Sequence, residues 1–295
     1  MKEKKARLNQ GHIHSYKHFN KKSSVEEYSR MYGKPKFDNV YPANRQRLSI
    51  ILSLLKNIKP KNLVDAGCGS GMPLVEMLSA EFDAIGYDKS QNMVNQAKIN
   101  LKKNNFASNR VTLGDFENPN HLQDNSFECI TGMGAFYYGD DIVEVLNNQK
   151  KKLVNGGHLI FSLRNRLFDL VTLNEYTLNF LSELFEIKKY DNNIQKMFEQ
   201  LFMKGKEIQK RKKKNIDDYG VISKVHNPLT ISQEILDPLE LSLRGIYFYH
   251  YHALPPIFEE FIPQEFRMNS WKIEDPEDWR GHFLASGFIV HCTKE

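Results

Sequence analysis

The apolar residues of this chain recur with helical spacing in some segments and gather in short runs in others. In residues 44–55 the leucines and isoleucines fall on one side of a helix, and Pro60 ends that segment. From residue 62 onward, short apolar runs alternate with helical patterns. The predicted strands are 62–66, 84–87, 110–113, 127–131 and 158–163, and the predicted helices among them are 72–80, 91–103 and 141–153. This alternation predicts a parallel, doubly wound α/β sheet.

The pattern changes after residue 165. Residues 167–215 have helical patterns and end in a basic run at 210–214, whereas strand patterns return at 241–252 and 286–292. We therefore interpret the middle segment as an insertion rather than a new domain. Because glycine is common just past the end of a helix, Asn155-Gly156-Gly157 is predicted to cap the C-terminal end of helix 141–153.

Composition narrows the class of protein. Among 295 residues, 41 are basic and 36 are acidic, and the net charge of +5 favours an anionic small ligand without requiring a nucleic acid. Three cysteines with no close pair argue against a disulfide framework and against a zinc site. No secretory signal is recognisable, and no stretch approaches the ~18 apolar residues of a membrane span. We expect a cytoplasmic protein with no membrane partner.

A glycine-rich loop follows the first predicted strand. Gly67, Gly69 and Gly71 come directly after Asp65 and Ala66, and glycine allows both a tight turn and a close approach of the backbone to a ligand. A dinucleotide-binding fingerprint would place a glycine at position 72, which is a methionine. The spacing here, with an acid two residues before the first glycine, resembles motif I of class I S-adenosylmethionine (SAM)-dependent methyltransferases.

The following elements extend that resemblance. Asp88 ends the second strand, where an acid can accept hydrogen bonds from both hydroxyl groups of a ribose. In the family, an acid after the third strand, here Asp115, accepts from the adenine amino group, and its neighbour Phe116 packs on the ring. The loop after the fourth strand, which contains Met133, is expected to pass under the adenosyl group. The residues that the resemblance assigns to the SAM site are Asp65, Gly67, Gly69, Gly71, Asp88, Lys89, Met93, Asp115, Phe116 and Met133.

The resemblance covers residues 48–165 closely and 240–295 more loosely. It implies a seven-stranded, Rossmann-like methyltransferase sheet with a helical lid insertion, in which the sixth strand is parallel and the seventh antiparallel. The predicted parts are an N-terminal extension or lid (1–45), a SAM-binding core (46–165), a helical insertion or lid (166–240) and C-terminal strands that complete the core (241–295).

Several candidate bases are predicted at the edge of the sheet where ligands of such folds bind. A hydroxyl acceptor needs a base, whereas an amine needs only to be neutral. We predict His252 as the base, with His250, His282 and Tyr137 as alternatives. Strand alternation would place both histidines of 247–252 on one face and its three tyrosines on the other. The competing interpretation is that these rings are half-buried packing residues.

Four residues at the same predicted edge are candidates for substrate binding: Arg164, Asn165, Trp279 and Arg280. The Arg280 guanidinium matches a carboxylate or phosphate, although an ion pair with Asp275, Glu277 or Asp278 is equally compatible with the sequence. No metal is predicted. Asp140 and Asp141 are a possible carboxylate pair, but Asp141 is also placed to begin a helix.

The segment Phe161-Ser162-Leu163-Arg164-Asn165 and the ending at residues 274–281 resemble bacterial methyltransferases of carbohydrate or surface-glycan pathways. This resemblance implies methyl transfer to oxygen or nitrogen of a small polar acceptor, such as a sugar or a phosphate-bearing metabolite. Two alternatives stay open: an RNA methyltransferase that uses the basic run 210–214, and a non-catalytic SAM-binding protein. A nucleic-acid partner is not expected, and the sequence leaves the oligomeric state undetermined.

Overall fold

The computed structural model describes residues 20, 21, 25, 32, 41–184, 186–189, 192, 195, 196 and 224–295. The strands are β1 (Leu63–Ala66), β2 (Ala84–Asp88), β3 (Val111–Leu113), β4 (Phe127–Gly132), β5 (Leu153–Asn165), β6 (Val225–His226), β7 (Leu241–Tyr251) and β8 (Ala285–Lys294). The α-helices with described bounds are α1 (Ala43–Ile58), α2 (Met72–Ser79), α3 (Gln91–Lys103), α4 (Ile142–Lys150), α5 (Glu175–Leu184), α6 (Pro263–Lys272) and α7 (Gly281–Leu284). None of these helices combines the length and the hydropathy needed to span a bilayer.

The strands form one open sheet in the order β3-β2-β1-β4-β5-β8-β7, and the short β6 pairs with β5. Strands β1 to β5 are parallel to one another, and β8 runs antiparallel to both β5 and β7. The doubly wound, Rossmann-like fold class is confirmed. The sixth predicted strand is β7, which runs parallel to β1–β5, and the seventh is β8, which runs antiparallel to them, as predicted. The two-residue strand β6 carries no apolar pattern and was not predicted.

Side chains alternate across the sheet into two buried clusters, one on each face. Leu63 packs with helix α1, whereas its neighbour Val64 packs with helix α4. Leu48 of α1 and Leu146 of α4 are fully buried in these clusters. Because helices cover both faces, the carboxyl ends of the parallel strands remain the accessible place for a ligand.

The predicted glycine cap of helix 141–153 is wrong. The helix ends at Lys150, and Gly156 and Gly157 lie inside the long strand β5. Pairing between β4 and β5 shifts register near this point, and Gly156 has a φ of 74°. The two glycines therefore lie at an irregularity in the pairing of β5 with β4, not at the end of a helix.

The insertion is described only in part. Helix α5 confirms a helical segment after β5. Arg166, just after β5, forms ion pairs with Asp169 and with Glu183 of α5. The basic run 210–214 lies outside the described residues, as does most of the predicted N-terminal extension. The domain limits at 45, 165 and 240 stay predictions.

Candidate active site at the carboxyl edge of the sheet

The three glycines after β1 have a backbone that other residues rarely adopt. Gly67, Gly69 and Gly71 have φ values of 73°, 54° and 74°. A Cβ atom on Gly67 would lie 2.6 Å from the Cβ of Ala135, and one on Gly71 would lie 2.8 Å from the Cβ of Ala97. The loop is therefore packed between the segment after β4 and helix α3, at the carboxyl edge of the sheet.

Asp88 ends β2 and contacts this loop directly. Its Oδ2 accepts a hydrogen bond from the Gly69 amide at 2.9 Å, and its Oδ1 accepts one from the Ser90 amide at 2.8 Å. Burial raises the pKa of Asp88 to about 6, although both hydrogen bonds oppose that rise. Each carboxylate oxygen has a second lone pair, so Asp88 could accept hydrogen bonds from two hydroxyl groups of a ligand.

The other residues predicted for the cofactor lie on adjoining elements. Lys89 Nζ and Asp115 Oδ2 form an ion pair of 2.6 Å, which joins the ends of β2 and β3. Phe116 is half-buried and packs against the cluster on the α4 face. Met93 and Met133 are almost fully buried in the protein. The structure thus brings all of these elements to one edge.

Asp65 is a fully buried carboxylate at the end of β1. Its Oδ1 accepts a hydrogen bond from the Thr131 hydroxyl at 2.9 Å, whereas its Oδ2 has no partner among the described residues. Burial raises the pKa of Asp65 to about 7, against the lowering effects of Thr131 and of the Arg47 charge. An unpartnered buried oxygen is costly, so Asp65 could accept a hydrogen bond from a donor group of a ligand.

Asp65 is expected to make the ligand-free protein less stable as the pH rises. The folded-state pKa of about 7 lies above that of the unfolded chain, so the folded state binds the proton more tightly. Stability is then lost between about pH 4 and pH 7. The difference in free energy of unfolding between Asp65→Asn and wild type should therefore increase, in favour of the variant, by on the order of 2 kcal/mol from pH 5 to pH 8. Urea titrations at both pH values measure this difference, and a pH-independent difference would contradict it.

Arg47 is a buried charged residue near this edge that was not among the predicted candidates. It is buried within α1, where its guanidinium donates to the Tyr32 hydroxyl at 3.2 Å and to the Asn44 Oδ1 at 3.0 Å. The guanidinium also lies 5.8 Å from the Tyr249 ring centroid on β7. A signal was present in the sequence, because a charged residue at position 47 falls on the apolar face that includes Ile51.

Tyr137 lies between two arginines. It follows β4 and is buried, and the Arg164 guanidinium of β5 lies 5.4 Å from its ring centroid. Burial alone raises the pKa of the Tyr137 phenol. The charges of Arg47 and Arg164, together with hydrogen bonds from Tyr138 and Arg47, lower it by more, so the pKa lies below the ordinary tyrosine value.

His252, the predicted base, is buried next to two aromatic rings. Its ring centroid lies 4.5 Å from that of Phe168 and 5.7 Å from that of Phe266. Its Nδ1 lies 3.0 Å from the His250 carbonyl oxygen, and burial lowers its pKa to about 4. His252 is therefore neutral at physiological pH and a weak proton acceptor.

His250 lies beside it, with ring centroids 4.6 Å apart. Its Nδ1 is 2.6 Å from the Ser286 hydroxyl, and its ring stacks on Tyr41 at 4.9 Å. Burial holds the pKa of His250 well below its usual range, and the electrostatic interactions with His252 and Arg164 add to this effect. The rings of the two histidines are therefore adjacent, although His252 follows the last residue of β7.

The three tyrosines of this strand do not share one face. Tyr247 and Tyr249 pack on the α1 face, whereas Tyr251 packs with Phe248 on the opposite face. His250 has a φ of 62°, and this left-handed residue reverses the side on which the next side chain lies. A non-glycine residue in this conformation is uncommon and cannot be read from a strand pattern.

Arg164 and Asn165 end β5 in different environments. Arg164 is an exposed residue at the edge, and its guanidinium contacts the phenols of Tyr137 and Tyr138. The Asn165 side chain is buried, and its Nδ2 lies 3.2, 2.8 and 2.8 Å from the carbonyl oxygens of Gly281, His282 and Ala285. Asn165 thus connects the end of β5 to helix α7 and to the first residue of β8 through hydrogen bonds.

The remaining predicted residues lie around the start of that helix. Trp279 is 70% exposed. Arg280 is paired with Asp278 through an Nη2–Oδ2 contact of 2.5 Å, as the competing interpretation allowed. His282 Nδ1 lies 2.9 Å from the Trp279 carbonyl oxygen, and its ring contacts Phe248 at 4.6 Å. None of these contacts joins these residues to Tyr137.

Described residues of the N-terminal segment also contact this edge. Asn20 Oδ1 accepts a hydrogen bond from the Ser90 hydroxyl at 2.9 Å, next to Asp88. Tyr41 donates to Glu274 Oε1 at 2.5 Å, and burial raises the pKa of Glu274 to about 7. These contacts place parts of the segment over both the β2 end and the β7 end of the site.

Within the described residues, no group of three or more His, Cys, Asp or Glu side chains is arranged to hold a metal ion. Asp141 caps helix α4 by accepting hydrogen bonds from the Val143 and Glu144 amides, which confirms its role as a helix start. The three cysteines are buried and free.

Comparisons with known proteins agree with this fold. A family model described as "Methyltransferase domain" matches residues 59–218, more than half of the chain. Magnesium protoporphyrin IX methyltransferase from Synechocystis PCC 6803 has a similar fold and was crystallised with bound S-adenosylhomocysteine (SAH), the demethylated product of SAM. The TM-score is 0.58, and the identity is 13% over 95% of this chain and 98% of that one.

Three curated relatives match smaller parts. An uncharacterized protein from Haemophilus influenzae is 37% identical over 38% of this chain and 45% of its own length. Ubiquinone biosynthesis O-methyltransferase from Aliivibrio fischeri is 24% identical over 44% of this chain and 55% of its own length. tRNA U34 carboxymethyltransferase from Proteus mirabilis is 29% identical over 37% of this chain and 34% of its own length. The chain thus spans about half or less of the length of these relatives.

Proposed function

Because the chain belongs to the methyltransferase-domain family of class I SAM-dependent methyltransferases, we propose that it transfers the SAM methyl group to oxygen or nitrogen of a small polar acceptor. One observation supports this proposal best: the glycine loop lies at the same edge of the sheet as the cluster of polar side chains formed by Arg47, Tyr137 and Arg164. A sulfonium methyl is already reactive, so holding an acceptor in line with it and excluding water can supply much of the rate.

The cofactor side is assigned by chemistry. We propose that Asp88 accepts hydrogen bonds from the ribose hydroxyls, and that Asp115 and Phe116 contact the adenine ring. The unpartnered Oδ2 of Asp65 suits the ammonium group at the other end of SAM. Arg47, whose charge acts on Asp65, suits the carboxylate at that same end. Lys89, Met93 and Met133 would then support the loops around the adenosyl group.

For the acceptor we propose a sugar or a phosphate-bearing metabolite of surface-glycan biosynthesis. A guanidinium at the sheet edge, such as that of Arg164, matches a phosphate or a carboxylate, and the exposed Trp279 ring offers a face to a sugar. The contacts of Asn20 and Tyr41 support an N-terminal segment that encloses the site. A cytoplasmic location stays a prediction.

A screen with isotopically labelled SAM tests the function. The full chain would be incubated with sugar phosphates, nucleotide sugars, free sugars, phenols, carboxylic acids and amines, and labelled products detected by mass spectrometry. We expect label in one of the phosphate-bearing or sugar acceptors. Transfer to none of these classes, by a protein that binds SAM, would favour the non-catalytic alternative.

The acceptor charge has its own test. Arg164→Gln should raise the KM for a phosphate-bearing acceptor about tenfold, the low end expected for a lost hydrogen bond to a charged group, while the SAM Kd stays unchanged. Arg110→Gln is the matched control, since Arg110 precedes β3 at the opposite edge and pairs with Asp83. An unchanged KM in Arg164→Gln would remove this arginine from the acceptor site.

An RNA acceptor is the second candidate, favoured by the similarity to the Proteus mirabilis tRNA-modifying enzyme. The basic run 210–214, on which this alternative depends, lies outside the described residues. Labelled SAM with total RNA distinguishes the two candidates: label in RNA that is lost when residues 210–214 are replaced by serine would support the RNA alternative.

A further inference from the structure

The structure places one tyrosine in a setting that favours its ionised form. Tyr137 is 7% exposed, and a buried phenol ordinarily resists ionisation. Here two guanidinium groups from different elements approach it, Arg47 from α1 and Arg164 from β5. The Tyr138 ring centroid lies 4.5 Å from that of Tyr137, and the Tyr138 hydroxyl donates a hydrogen bond to the Tyr137 phenol oxygen.

The two arginines are the charged groups that lower the pKa of this tyrosine most. The phenols of Tyr138 and Tyr249 also interact with it. Burial raises the pKa of both of these phenols, so they stay neutral and can donate hydrogen bonds. Arg164 also acts on Tyr138 and Tyr249, and Arg47 acts on Tyr249, so the three phenols share the two guanidinium groups. Tyr137 is the member of this cluster whose pKa is lowered.

The same arginine connects this tyrosine to the cofactor side. The Arg47 charge acts on both Asp65 and Tyr137, and a Cβ atom on Gly134 would lie 2.6 Å from Arg47 Nη1. Gly134 belongs to the loop after β4 that leads into Tyr137. Arg47 therefore acts both on the end of β1, where the glycine loop begins, and on Tyr137, which Arg164 also contacts.

The histidines are less suited to the same task. His252 is enclosed by Phe168 and Phe266, and His250 is engaged by Ser286 and Tyr41. Both hold their protons weakly, because burial disfavours the imidazolium that a histidine base must become.

We propose that Tyr137 is the proton acceptor in methyl transfer and that the acceptor atom is therefore the oxygen of a hydroxyl group. This inference rests on the proposed function and narrows it from oxygen or nitrogen to oxygen. The acceptor oxygen forms a bond to the methyl carbon, and the carbon–sulfur bond breaks with its electron pair left on sulfur. The hydroxyl proton passes to the Tyr137 phenolate, which becomes a neutral phenol, while the sulfonium becomes a neutral thioether.

A titration without any acceptor tests the ionisation. Ultraviolet absorbance of tyrosinate, followed against pH in the full chain, should show one tyrosine that ionises before the others. That step should disappear in Tyr137→Phe and move to higher pH in Arg164→Gln. Tyr176→Phe is the matched control, since Tyr176 lies on α5 and is 53% exposed, and it should leave the step in place. An early step that survives in Tyr137→Phe overturns the proposal.

Kinetics with an acceptor from the labelling screen complete the test. Tyr137→Phe should lower kcat by roughly 10²–10⁴-fold, the usual size of a general-base effect, and leave the SAH Kd unchanged, which also shows that the variant folds. Arg164→Gln should shift the rise of kcat to higher pH. Label on nitrogen, or a normal kcat in Tyr137→Phe with a large loss in His252→Ala, overturns the role of Tyr137 while methyl transfer itself stands. Absence of labelled product in wild type, despite SAH binding, overturns the proposed function instead.

Discussion

Gly67→Ala is expected to lose about 2–5 kcal/mol of stability and at least tenfold in affinity for SAH. The left-handed backbone at Gly67 costs any other residue about 1–2 kcal/mol. The new methyl group would also lie 2.6 Å from the Ala135 Cβ, and such overpacking costs about 1–3 kcal/mol. Relief of the clash requires the glycine loop and the segment after β4 to separate, which displaces backbone on both sides of the site.

Gly156→Ala is the matched control. Gly156 has a φ of 74°, close to the 73° of Gly67, but no atom lies within 4 Å of an added Cβ. This variant should lose only the conformational cost of about 1–2 kcal/mol and bind SAH normally. Urea unfolding and calorimetry measure both quantities. Equal losses of stability in the two variants, with equal SAH affinity, would show that close packing at Gly67 is unnecessary.

The residues of the proposed cofactor side could be brought together from the sequence because their signals are local. The glycine loop, Asp88 and Asp115 each follow an apolar strand directly, and parallel strands bring their carboxyl ends to one edge. The pairing of β1 with β2 and β4 follows from the same alternation. Short-range pattern and a rule of topology are enough to place these residues together.

The proposed acceptor side could be predicted only in part, because its contacts join distant parts of the chain. Arg47 meets Tyr249, and Tyr41 meets Glu274, across more than 200 residues. Tyr137 was predicted only as an alternative base, because its two arginine neighbours lie on other elements. Strand alternation also failed at His250, since one left-handed residue changes which face the following side chain occupies.

The same limit explains Asn165. Its position at the end of β5 suggested a ligand contact, yet its amide lies within hydrogen-bond reach of three carbonyl oxygens around residues 281–285. Buried polar groups must find partners, and for this side chain the partners are backbone groups of a turn more than 100 residues away. A sequence position at a sheet edge therefore identifies candidates but does not distinguish ligand contacts from structural ones.

Asp88→Ala is expected to weaken SAH binding by about 1.5–3 kcal/mol, or roughly 10- to 150-fold, the range for hydrogen bonds to a charged group. Both carboxylate oxygens already accept backbone amides, so the variant loses the ribose acceptor and also the contact that orders the glycine loop. Since the pKa of Asp88 is about 6, wild-type affinity should also fall as the pH drops from 7 to 5, because the protonated carboxyl accepts hydrogen bonds less well. The variant should lack that dependence.

Asp83→Ala supplies the control for this comparison. Asp83 immediately precedes β2, at the opposite end of the strand from Asp88, and pairs with Arg110 at an exposed position. Its removal should leave SAH affinity unchanged at every pH. Calorimetric titrations of the three proteins at pH 5, 6 and 7 measure the effect. A loss in Asp88→Ala below a few tenths of a kcal/mol would remove Asp88 from the cofactor site, whereas an equal loss in both variants would attribute the effect to strand stability rather than to the ribose contact.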